Sequence, residues 1–162
     1  MHRLILITLT SLLLATPAFS ADWPHWGGGL GRNMINLDEK NMPTSWDVKT
    51  GKNIKWVMPL GSLAYGNPVV ADGRIFVGTN NESPRDPKHE GDRGIVFCLE
   101  EATGKLLWQL VVPKLGAGKV SDWEYLGICS SPTVDGDRVY LVSNRCEVMC
   151  LDADGFADGN DG

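Results

Sequence analysis

Apolar residues along this chain come in short bursts, and the breaks between them are rich in Asp-Gly and Thr-Gly. Val69-Val70 and Ile75-Phe76-Val77 flank Asp72-Gly73, a two-residue hairpin signal because both central residues accept positive φ. Ile95-Val96-Phe97-Cys98-Leu99 and Leu106-Leu107-Trp108-Gln109-Leu110-Val111-Val112 are continuous apolar runs joined through Thr103-Gly104. Together they predict four strands, A to D, in meander order over residues 68–112. A second set follows, with A at 132–134, B at 138–143 and C at 146–152. One isolated strand is expected over 52–58. No stretch beyond the first twenty residues carries a 3.6-residue apolar period, so helix is a minor component at most.

The bursts also repeat. Asn67-Pro68-Val69-Val70-Ala71-Asp72-Gly73-Arg74-Ile75-Phe76-Val77 returns as Ser131-Pro132-Thr133-Val134-Asp135-Gly136-Asp137-Arg138-Val139-Tyr140-Leu141. Phe97-Cys98-Leu99-Glu100 returns as Met149-Cys150-Leu151-Asp152, and Thr-Gly-Lys leads to a tryptophan at both Trp56 and Trp108. Self-similarity at a period of tens of residues marks a unit that buries its apolar face only by stacking on a neighbour. Four-stranded antiparallel units in series suggest propeller blades; a β-sandwich with similar hairpins is the rival.

Glu100-Glu101-Ala102-Thr103-Gly104-Lys105-Leu106-Leu107-Trp108 resembles the repeat of the pyrroloquinoline quinone (PQQ)-binding-like β-propellers. Asp22-Trp23-Pro24-His25-Trp26, followed by Pro43-Thr44-Ser45-Trp46, is similar to the start of exported bacterial members. The likeness spans residues 22–162. It implies an all-β fold, a partial β-propeller of about two four-stranded antiparallel blades from a longer seven- or eight-bladed ring. In that family the strand-D tryptophan docks on the next blade. The chain then reads as the N-terminal fragment of a longer protein, with 52–58 as the D strand of a ring-closing blade.

Residues 1–20 read as a leader. His2-Arg3 is a basic start, Leu4 to Ala15 is apolar but too short to span a bilayer, and Ala18-Phe19-Ser20 fits small-x-small cleavage before Ala21. The chain thus divides into a signal peptide, 1–20, an irregular segment, 21–50, and repeats, 51–162. A periplasmic or secreted location follows, with no membrane span. Net charge is −5, falling to −6 once Arg3 leaves with the leader. With no basic stripe, a nucleic-acid partner is not expected.

Four cysteines in an oxidising compartment invite a disulfide. Ideal ladder positions on strands A and C lie roughly 9–10 Å apart, too far for a bond. Cys129 precedes its strand, however, and could curl toward Cys146, which makes that the candidate pair. Cys98 and Cys150 occupy equivalent positions and read as unpaired small hydrophobes. Asp152, Asp154 and Asp158 form the one metal-like cluster, with oxygen donors suited to calcium but spacing unlike an EF-hand loop.

Strand parity assigns the loops. In a meander the long connections, 80–93 and 113–130, leave the same edge, opposite Asp72-Gly73 and Thr103-Gly104. Rigid scaffolds carry function on such loops. Arg85, Asp92, Arg93, Trp123, Tyr125 and Arg145 are therefore the candidate ligand- or partner-binding residues, offering charge for an anionic ligand and aromatic surface for stacking. His89 has no Ser or Cys nucleophile placed against it, so no catalytic residue is assigned.

Three functions fit. The first is a non-catalytic exported propeller that binds a protein or small molecule. The second is a quinoprotein alcohol or sugar dehydrogenase, for which the resemblance implies PQQ and calcium in a complete ring. The third is a structural module of a larger exported protein. Adjacent cysteines, common in quinone-dependent alcohol dehydrogenases, and a Cys-x-x-Cys-His haem site are both missing from the sequence, which favours the first.

Overall fold

The computed structural model describes residues 21–116 and 123–157. Among these residues, seven strands form two antiparallel sheets: β1 (Val69–Ala71), β2 (Arg74–Asn80), β3 (Arg93–Glu100) and β4 (Leu106–Pro113) in one, and β5 (Thr133–Asp135), β6 (Arg138–Val142) and β7 (Val148–Asp152) in the other. Each sheet is a meander, its strands adjacent in chain order. Among the described residues there is no helix long and apolar enough to cross a membrane.

The hairpins form where the turn residues permit them. Ala71 pairs with Arg74, leaving Asp72 and Gly73 at φ 47° and 70°, the double positive φ that matches the twist of the flanking strands. At the Thr-Gly turn, the Glu100 carbonyl accepts the Gly104 amide (2.8 Å) and Thr103 Oγ1 accepts the Lys105 amide (3.1 Å). The β3–β4 register slips between Cys98 and Leu99, so Leu107 has no opposite number and stands half-exposed.

The continuous apolar runs of β2 and β3 have a physical reason: the first sheet is covered on both faces. Phe76, Val96, Cys98 and Val112 pack against Val139 and Leu141 of the second sheet, with Ile128 fully buried in the same cluster. On the opposite face Val77, Ile95, Phe97 and Leu99 meet Trp56, Met58 and Leu60. The second sheet is covered on one side only, and β6 alternates accordingly: Val139 and Leu141 are buried, Tyr140 and Val142 are exposed.

Residues 52–58, expected as a strand, are irregular, apart from a single bridge between Asp47 and Lys52. The alternation of Ile54, Trp56 and Met58 is real, but a strand needs a neighbour to share its hydrogen bonds. This segment lies across a sheet face rather than along a sheet edge.

Trp56 nevertheless does what Trp108 does. Trp56 Nε1 donates to the Glu101 carbonyl at 2.9 Å, and Trp108 Nε1 donates to the Ala153 carbonyl at 3.0 Å. Each indole also covers a glycine of positive φ, Gly104 (73°) and Gly155 (67°) respectively. A Cβ on Gly104 would stand 2.6 Å from Trp56 ring carbons, and one on Gly155 would stand 2.8 Å from Trp108. Trp108 further meets Phe76 with ring centroids 5.8 Å apart.

The first strands of the two sheets are joined by the start of the described chain. Trp23 and Val70 exchange backbone hydrogen bonds (2.7 and 3.0 Å), and the Pro24 carbonyl accepts the Val134 amide at 2.7 Å. Trp23 and Pro24 therefore tie β1 of one sheet to β5 of the other.

Candidate functional site

The loops after β2 and β4 do share an edge. Asn80, at the end of β2, is fully buried and uses its whole amide. Its Oδ1 accepts the Ser62 and Glu82 amides (3.1 and 3.0 Å), while Nδ2 donates to Ser62 Oγ (2.9 Å) and to the Tyr125 carbonyl (2.5 Å). Thr79 beside it takes the Gly61 amide (3.0 Å) and gives its hydroxyl proton to the Leu63 carbonyl (2.8 Å). Asn81 donates to the His89 and Gly91 carbonyls. Three consecutive buried polar side chains thus tie down loops 59–65, 81–92 and 123–128. A buried amide with every donor and acceptor matched fixes geometry strongly, because each lost bond leaves an orphaned polar group.

Asp92 and Tyr125 stand at the centre of this edge. Asp92 Oδ2 accepts the Tyr125 amide at 2.7 Å and lies 3.4 Å from Lys114 Nζ. Both side chains of that ion pair are mostly covered, Asp92 17% and Lys114 18% exposed. Lys114 also donates to the Trp123 carbonyl, and Arg145 Nη1 donates to the Lys114 carbonyl at 3.2 Å. Asn144 reaches the Pro113 carbonyl (3.2 Å), and Arg93 Nη1 turns back onto the Asp92 carbonyl (2.9 Å). Tyr125 has a φ of 53°, left-handed for a bulky side chain, and both its amide and its carbonyl are held. The outcome is an exposed aromatic pair, Trp123 (56% exposed) and Tyr125 (37%), on a clamped backbone.

Five of the six expected residues gather here: Asp92, Arg93, Trp123, Tyr125 and Arg145. Arg85 is drawn elsewhere. It donates to the Pro59 carbonyl and sits 5.8 Å over the Phe97 ring, against the face that Trp56 covers. Parity fixes where a loop leaves a sheet but says nothing of where a long side chain reaches. Lys114, Asn80 and Thr79 were missed. Polar residues closing an apolar strand read as loop, and only their burial reveals the latch.

Cys129 and Cys146 border one hollow of about 260 Å³ beside Trp123, with Ser130 and Ser143. The expected bond between them is not formed in this structure. Cys129 Sγ instead lies near the Leu126 and Gly127 carbonyls, at 3.8 and 3.9 Å, and Cys146 takes a φ of 60° in the β6–β7 turn. Cys98 is buried, as expected, whereas its counterpart Cys150 is exposed because the outer face of β7 is uncovered.

The carboxylates expected to bind calcium are matched to arginines. Asp152 Oδ2 pairs with Arg138 at 3.1 Å, its Oδ1 accepts the Asp154 amide at 2.7 Å, and Asp154 pairs with Arg74 of the other sheet. Asp158 lies outside the described residues. Among the described residues no three His, Cys, Asp or Glu side chains stand together as a metal site. PQQ, a planar polyanion, needs free guanidinium groups. Five of the six arginines among the described residues, Arg74, Arg85, Arg93, Arg138 and Arg145, are turned onto carboxylates or backbone carbonyls of the chain itself.

No protein-family model matches this chain, and no curated protein matches it.

Proposed function

We propose that this chain belongs to an exported PQQ-binding-like β-propeller protein that works as a non-catalytic scaffold, binding a protein or small-molecule ligand at its long-loop edge. The equivalent docking of Trp56 on Glu101 and Gly104 and of Trp108 on Ala153 and Gly155 supports the blade reading, since each unit offers the next the same indole. The observation that carries the binding reading is the Trp123–Tyr125 pair, exposed yet held from behind by Asp92, Asn80 and Lys114. Rigid aromatic surface loses little conformational entropy when it is covered, which suits recognition.

A photo-reactive amino acid placed at Trp123 of the exported protein tests the proposal in the source cells. A discrete crosslinked product is expected there and not from the same group at Asp72, on the opposite edge. Equal labelling from both positions, or none from Trp123, would sink it.

A further inference from the structure

Ala21 directly follows the Ala18-Phe19-Ser20 cleavage pattern, and its nitrogen already has a destination: it donates to Glu39 Oε1. The next residue, Asp22, accepts the Asp72 amide through Oδ1 at 3.2 Å. Trp23 and Pro24 then join β1 to β5, and the Trp23 ring lies against Gly28, where a Cβ would stand 2.6 Å from it. Nothing separates the cleavage point from the first structural contacts of the fold.

We infer that the Ser20–Ala21 bond is a processing site whose product is built into the structure: the new α-ammonium of Ala21 pairs with Glu39 and fastens residues 21–24 across both sheets. This rests on the export reading. A signal-peptidase-class protease adds water across the amide; Ser20 leaves with a carboxylate, and the Ala21 nitrogen takes a proton. One neutral N–H donor becomes a cation with three, so the hydrogen bond to Glu39 becomes an ion pair. The surroundings favour a cation. Asp22 and Asp38 line the same hollow as Ala21, and the neighbouring Lys40 is the one basic side chain next to Glu39 in sequence. Before cleavage, the same carboxylate has only an amide to meet.

The test begins with intact mass and amino-terminal sequencing of the exported chain, which should start at Ala21. The second reading is the acylation rate of the Ala21 amine at pH 7.5, where only the neutral form reacts. Pairing should slow it about two- to eightfold relative to Glu39→Gln, the fall in neutral amine at that pH when an α-amino pKa rises by about half to one unit. Glu39→Asp, which keeps the charge, should restore part of the protection. Equal rates in the native chain and Glu39→Gln overturn the inference. A chain made to begin at Ala21 by a fusion protease separates the two readings. Fast acylation there condemns the Glu39 pairing alone, whereas an exported chain that begins elsewhere condemns the processing site and weakens the export reading with it.

Discussion

The Asp92 carboxylate accepts the backbone amide of Tyr125 at 2.7 Å while Tyr125 is held at a φ of 53°. One side chain from the β2–β3 loop thus keeps a strained residue of the β4–β5 loop in place, with Lys114 neutralising its charge at 3.4 Å. Asp92→Ala removes both the acceptor and the anion and should cost about 1.5–3 kcal/mol, the range for a charge-assisted hydrogen bond. Asp92→Asn keeps an oxygen for the amide and should cost less. Urea denaturation of both variants measures the difference, and limited proteolysis should find the 123–128 loop cut faster in Asp92→Ala. Equal stability for the two would mean the Tyr125 amide contributes nothing.

Gly104 and Gly136 both have positive φ, 73° and 58°, but only Gly104 lies beneath an indole. Gly136→Ala should cost about 1 kcal/mol from backbone strain alone. Gly104→Ala adds a methyl 2.6 Å from Trp56 and should cost about 1–3 kcal/mol more. Denaturation midpoints of the pair isolate the tryptophan contact; similar values would show that Trp56 moves aside freely.

Trp108→Ala should destabilise by about 3 kcal/mol, since it empties space between Phe76 and Gly155. Trp108→Phe keeps most of the ring but leaves the Ala153 carbonyl without its indole donor, and should cost about 1 kcal/mol. Calorimetric unfolding of both variants checks the ordering.

Burial pushes the Cys98 thiol up from 9.0 to about 12, with Arg74 opposing the rise and Asp154 adding to it. In the folded protein at pH 8 an alkylating reagent should label Cys129, Cys146 and Cys150 and leave Cys98 intact, as read by mass spectrometry. The folded pKa is the higher one, so this thiol's contribution to stability is complete below pH 9 and declines as pH rises toward 12. Cys98→Ala should flatten the loss of stability over that alkaline window.

The hairpins were legible because their causes are local: Asp72-Gly73 and Thr103-Gly104 carry their turn geometry in their own residues. Loop sides followed as well, from nothing more than the reversal of direction at each strand. Partnership was harder to read. The alternation over 52–58 matched a strand, yet whether a neighbour lies beside it is a property of the whole fold. Asp152 and Asp154 looked like oxygen donors for a cation because Arg138 and Arg74, which answer them, are distant in sequence. Arg85 was assigned to the binding edge by position and drawn off by a carbonyl and a ring that no spacing rule reveals.

The stitch formed by Trp23 and Pro24 sets an order of assembly. Pro24 gives its carbonyl to Val134, so a segment near the start of the chain completes its hydrogen bonding only when β5 has arrived. The β1–β4 meander can form from contacts close in sequence, quickly and early. The two sheets cannot be joined in this way until β5, the fifth of the seven strands described, has been added. Closure of that long loop, rather than formation of any hairpin, should set the slowest step in reaching the native state.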